Sequence, residues 1–66
     1  MTVNNRLKEF REALLLSKFE LARKAGVALL TIDRIEKGFS CRPETKRKIL
    51  NALGVQLLEK EKVFPR

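Results

Sequence analysis

Ser17–Gly38 reads S-K-F-E-L-A-R-K-A-G-V-A-L-L-T-I-D-R-I-E-K-G, and the remainder of the chain is organised around it. Ser17 with Glu20 three residues on is a capping box, which satisfies orphan amides at a helix start. Leu16 and Leu21 occupy the positions of a hydrophobic staple over that cap. Leu21, Ala22 and Ala25 repeat at helical spacing. Gly26 ends the helix, because glycine takes the left-handed conformation at a C-cap without steric cost. Val27 can plug the turn. A second apolar stripe follows at once in Leu29, Ile32 and Ile35, with Thr31 also able to face inward, and Gly38 closes it. Two short helices joined by a tight glycine-containing turn make a helix-turn-helix.

The same residues carry a family resemblance. L-S-x-x-E-L-A-x-x-A-G-V-x-x-x-T-I-x-R-I-E-x-G resembles the helix-turn-helix of the Xre family, which includes the lambdoid phage repressors and Cro proteins. The resemblance spans Arg6 to Val55, with Leu21-Ala22, Gly26-Val27, Ile32, Ile35-Glu36 and Gly38 all in register. It implies an all-α, compact five-helix bundle of the phage-repressor DNA-binding type. It also implies a prokaryotic or phage transcriptional regulator that binds double-stranded DNA, as a possible homodimer on a palindromic operator.

Composition narrows the alternatives. At 66 residues the chain makes one domain, residues 1–66. A domain of this size buries only about 60% of its unfolded surface and is marginally stable. One cysteine, Cys41, allows no internal disulfide, and histidine is absent. No metal-ligand cluster, Gly-rich phosphate loop or nucleophile–base pair is present in the sequence. No enzymatic activity, cofactor, metal or small-molecule substrate is therefore expected. Fifteen Lys/Arg against eight Asp/Glu leave a formal charge of +7. Such an excess favours a polyanionic partner. No apolar run approaches the roughly 18 residues of a membrane span, so no membrane partner is expected. The chain shows no signal-peptide pattern and is read as cytoplasmic, where a free Cys41 stays reduced.

Taken in order, Thr2, Asn4 and Asn5 are competent to cap a first helix. Leu7, Phe10 and Leu14 mark its buried face, and Arg6, Lys8, Glu9 and Glu12 are solvated. Arg11 lies beside that stripe. The resemblance implies that it pairs with Glu36 and ties the first helix to the third; a surface arginine is the alternative. The second helix runs from about Lys18 to Ala25, with Phe19, Leu21 and Ala22 inward. Lys18 stands where the family commonly has glutamine on a phosphate or base, and an ammonium there can hold phosphate as a point charge.

The third helix, about Leu29 to Glu36, is the expected recognition helix, whose N-terminal residues would enter the major groove. Its outward positions are Ala28, Leu29, Leu30, Asp33 and Arg34, of which Leu29, Leu30, Asp33 and Arg34 are the candidates for base reading. Two leucines and an aspartate depart from the polar residues usual in the family. Leucine can pack only on thymine methyls or sugar, Asp33 could accept from a cytosine amino group, and Arg34 has the fork for guanine O6 and N7. For Leu29 and Leu30 two other outcomes stand open: one turns into the core, or the pair makes a protein contact.

Phe39 in the loop Lys37–Arg42 is expected to fold back on the core. Pro43 suits the first position of a fourth helix, which stops at Gly54 and buries Thr45, Ile49, Ala52 and Leu53. Lys37, Arg42, Lys46, Arg47 and Lys48 form the densest basic cluster. The family grips the DNA backbone here, so Lys18, Lys37, Arg42, Lys46 and Arg47 are the backbone candidates; a solvated helix face is the alternative. Leu57 and Leu58 with Val63 and Phe64 read as a short fifth helix closing the core, ended by Pro65. Glu59, Lys60, Glu61 and Lys62 alternate in sign as a solvated face does. A protein-interaction module or an antitoxin-like subunit on the same fold is the alternative function.

Overall fold

A computed structural model describes residues 5–65. Thr2 and Asn4 lie outside the described residues. Four α-helices follow one another: α1 (Leu7–Ala13), α2 (Lys18–Ala25), α3 (Leu29–Glu36) and α4 (Pro43–Leu53). A fifth, 3-10 helix (Leu57–Lys62), kinked at Glu59, closes the chain. α2 packs against both α3 and α4, α1 against α3, and the 3-10 helix against α4.

Local chemistry sets each boundary. Ser17 Oγ accepts the Glu20 N–H at 3.0 Å, and the Glu20 carboxylate accepts the Ser17 N–H at 2.8 Å. The bond from the Ser17 N–H first, and then the Ser17 hydroxyl beside it, hold the Glu20 carboxyl below its ordinary range. Gly26 adopts φ +72°, which lets the Val27 N–H reach back to the Ala22 carbonyl at 3.0 Å. α1 ends differently. Leu15 takes φ +58°, a left-handed conformation rare outside glycine and asparagine. The Leu15 and Leu16 amides then close on the Glu12 and Arg11 carbonyls at 3.0 and 3.1 Å, the bonding pattern of a glycine-ended helix. The Leu15 side chain is 90% exposed. Asn5 caps α1 from one residue before the cap position: its Oδ1 accepts the Leu7 N–H at 3.1 Å. Its amide also donates to the Ile35 carbonyl at 2.8 Å, joining the chain's entry to α3.

The core is small and aliphatic. Leu7, Leu21, Ile32, Ile35, Ile49, Leu50 and Val63 are fully buried, with Ala22, Ala25, Ala52 and Leu53 between them. Phe10, Leu16, Val27, Val55 and Phe64 pack around its edge. Leu50 joins this core although it lies outside the face expected from the sequence, while Thr45 is only half-buried.

Several expected core residues face solvent instead. Leu14 is exposed because α1 has already ended at Ala13. Phe19 is 59% exposed; at 3.6 residues per turn it stands more than about 100° from the centre of the Leu21, Ala22, Ala25 stripe. Phe39 follows Gly38 at φ +100° and turns outward. Leu57 is exposed and Leu58 is 96% exposed. The 3-10 helix advances three residues per turn rather than 3.6, and Val63 beyond its end fills the place expected of them.

One charged pair is enclosed by this packing. Arg11 is 7% exposed. Its Nε donates to Glu36 Oε2 at 2.6 Å and its Nη2 to Oε1 at 3.1 Å, a bidentate fork. The third donor, Nη1, meets the Leu16 carbonyl at 2.8 Å. The bond to Glu36 raises the Arg11 guanidinium above its already high ordinary value, outweighing its burial.

Removing one partner leaves a buried charge unanswered, at a cost on the order of 3 kcal/mol or more. A domain of this length is stable by only about 3–10 kcal/mol, so the loss would be a large share of the total. In urea unfolding, Glu36→Ala and Arg11→Ala should each destabilise strongly. The double variant should lose much less than their sum, and Glu36→Gln, which keeps an acceptor, should be the mildest. Additive losses would show that the two side chains act independently.

Candidate nucleic-acid interface

α3 divides sharply into two faces. Ile32 and Ile35 are locked into the core, and Glu36 is held by Arg11. The opposite face carries Leu29, Leu30 and Arg34 exposed, with Asp33 half-buried beside them. Neither leucine turns into the core: they are 49% and 57% exposed. The Arg34 carbonyl accepts the Lys37 and Phe39 N–H groups, but its guanidinium has no hydrogen-bond or ion-pair partner among the described residues, so its five-donor fork is free for a ligand. Ala28, at the N-cap of α3, offers no side-chain acceptor, and its extended backbone turns the chain into the helix.

Asp33 is not a free acceptor. Lys18 Nζ reaches its Oδ1 at 2.7 Å and Lys37 Nζ its Oδ2 at 2.9 Å. One carboxylate thus bridges the first residue of α2 to the residue just past α3. The spacing of Asp33 and Lys37, four apart on one helix, was open to sequence reasoning. The approach of Lys18 was not, because it depends on how α2 crosses α3. The hydrogen bond from Lys18, then that from Lys37, draws the Asp33 carboxyl from its ordinary 3.8 down to about 2. The same bond holds the Lys18 ammonium above its ordinary value. Lys18 and Lys37, both backbone candidates, therefore lie together at one edge of the outer face of α3.

The remaining backbone candidates sit on the next segment. Arg42 is exposed at the N-cap of α4 and makes no side-chain cap bond. Lys46 is half-buried, with its ammonium 5.5 Å from the centroid of the Phe64 ring. Lys46 and Arg47 line a groove shared with Leu57, Lys60 and Phe64 of the closing segment. The cluster thus splits: Lys37 belongs to the edge of α3, Arg42 to the exposed start of α4, and Lys46 and Arg47 to the groove beside the 3-10 helix. Burial pushes the Cys41 thiol up, so it remains protonated and a poor nucleophile near neutral pH. Among the described residues no cluster of His, Cys, Asp and Glu is arranged to hold a metal ion. No helix there is long and apolar enough to cross a membrane.

A family model described as helix-turn-helix matches residues 7–60. The chain belongs to this family, in its Xre/Cro-like form, which is a family of DNA-binding regulatory domains rather than of enzymes. No solved structure matches the chain.

The bridge at Asp33 has a pH signature. A carboxyl with a depressed folded-state pKa contributes stability that is complete above the unfolded value, near 4, and is lost as pH falls through the folded value, about 2. Asp33→Asn cannot titrate. Thermal melts should therefore show wild type above Asp33→Asn at about pH 5, with the gap closing between about pH 4 and 2. A gap that stays constant over that range would mean that the carboxylate is not bridged in solution.

Proposed function

We propose that this domain binds double-stranded DNA in a sequence-specific manner, as a transcriptional regulator, with α3 in the major groove. The observation that carries this reading is the free Arg34 guanidinium on an outer helix face whose inner face is fixed by Ile32, Ile35 and Glu36. A helix held rigidly on one side and bearing a bidentate donor on the other has what major-groove readout requires. The groove is also deep enough to admit an α-helix. The cations follow the same logic. Lys18 and Lys37 lie together at one edge of α3, and Arg42 opens α4, so that phosphates along the groove would meet positive charge. Lys46 and Arg47 would add to this at longer range. Base reading falls to Leu29, Leu30 and Arg34. Asp33, with both oxygens engaged, sets the position of the two lysines and moderates their charge.

Two copies on a palindromic operator complete the proposal, with half-sites about one helical turn apart. The second reading, a protein-interaction module or antitoxin-like subunit, is favoured by the exposed Leu57 and Leu58. It requires that α3 have no preferred duplex.

Reading and gripping should separate by mutation. Arg34→Ala should cost about 1–3 kcal/mol on the preferred duplex and relax the preference at one base pair. Arg42→Ala should weaken preferred and scrambled duplexes alike and lower the slope of log K against log salt by about one. Binding of both variants to both duplexes across a salt series measures this. Equal weakening of both duplexes by Arg34→Ala would reduce Arg34 to a phosphate contact. No effect from either variant would remove this face from DNA and leave the protein-interaction reading.

A further inference from the structure

We infer that the Leu29–Leu30 edge selects thymine, by packing on the C5-methyl groups that thymine alone among the four bases presents in the major groove. This rests on the proposal that α3 enters that groove, and it names what the entering edge recognises.

Leu29 and Leu30 are the first two residues of α3. They are large, aliphatic and half or more exposed, while the core is completed without them. With Lys18 and Asp33 they line an open, predominantly apolar pocket of 260 Å³. Its two polar walls are already bonded to each other, Lys18 Nζ to Asp33 Oδ1 at 2.7 Å. The second Asp33 oxygen is engaged by Lys37 at 2.9 Å. The surface left to meet a base is therefore hydrocarbon.

The surroundings decide the occupant. The apolar edge borders Lys18, with Lys37 beyond Asp33 and Arg34 one turn along the same helix, in a chain of net charge +7. Positive charge beside an apolar edge complements a polyanion that carries apolar groups within it, which describes the thymine methyls in the floor of a duplex groove. The other edges offered in that groove are hydrogen-bonding atoms, on which leucine gains nothing and would bury an unpaired polar group. Leu30 and Arg34 are also one helical turn apart on the same stripe. The methyl recognised by Leu30 should thus lie within a base step or two of the guanine recognised by Arg34.

Replacing thymine by uracil removes the methyl and leaves every hydrogen-bonding atom of the pair in place. The experiment uses the full chain and duplexes selected by it from a random pool, each remade with deoxyuridine at single thymine positions. Wild type should bind about fourfold more weakly for each contacted methyl removed, from the transfer free energy of one buried carbon. Uracil at flanking positions should change nothing. Leu29→Ala/Leu30→Ala, whose changes lie on exposed side chains, should bind the thymine and uracil duplexes equally. Selected sites that lack thymine overturn the inference and leave the DNA-binding proposal standing. So does wild-type binding that ignores uracil, or a double variant that still loses fourfold. Failure to enrich any duplex overturns both.

Discussion

The Arg11 guanidinium is a permanent charge placed where water does not reach, and the arrangement of the domain has to answer it. Two groups do so, both reached from α1: the Glu36 carboxylate at the end of α3 and the Leu16 carbonyl at the entry to α2. The geometry allows little play, because a bidentate fork is satisfied only when carboxylate and guanidinium are coplanar and close. Desolvation offsets much of the attraction, so the pair is weak as a source of stability and strong as a constraint. Any rearrangement that swung α3 away from α1 would leave two charges unpaired in a low-dielectric interior. The outer face of α3 inherits its orientation from that constraint.

Other polar pins act in the same direction. The Asn5 amide holds the Ile35 carbonyl, and the Arg6 N–H meets the Val63 carbonyl at 2.7 Å. The chain's entry is thereby bound both to α3 and to the closing segment. A core of this size has few side chains to spare, and such bonds fix the relative placement of short helices that packing alone would leave loose. No side-chain nitrogen or oxygen buried among the described residues lacks a partner. On the surface, Asp33 between Lys18 and Lys37 sits at the proposed interface. It removes part of the positive charge where α3 would approach phosphates, which would lower indiscriminate attraction to DNA and leave more of the discrimination to α3.

Local signals made much of this legible. The capping box at Ser17, the glycines at positions 26 and 54, and the proline opening α4 mark boundaries because each acts on the backbone within a turn of itself. Ile32 and Ile35 of the inward stripe of α3 were readable from periodicity, although Leu29, read into the same stripe, faces outward; the Arg11–Glu36 pair was readable from family resemblance. What escaped depends on tertiary placement. Hydrophobicity alone suggested Leu14, Phe19, Phe39, Leu57 and Leu58 as core, yet the end of α1, the phase of α2 and the pitch of the 3-10 helix turn them outward. Leu15 gave no warning, since a leucine does not advertise a left-handed turn. Lys18 and Asp33 meet only because α2 crosses α3 as it does. For the proposed interface, which cations belong to the edge of α3 and which to the groove beside the 3-10 helix was not legible.

The central claim is that DNA meets the outer face of α3 and the cationic edges around it. Amide chemical shifts of the uniformly labelled chain, followed while a short random-sequence duplex is added at low salt, test it residue by residue. The account predicts the largest changes at Lys18, through Leu29, Leu30, Asp33, Arg34 and Lys37, and at Arg42, with Leu57, Leu58 and Leu15 unmoved. Changes centred on Leu57 and Leu58, or on Leu14, Leu15 and Phe19, with α3 silent, would contradict it.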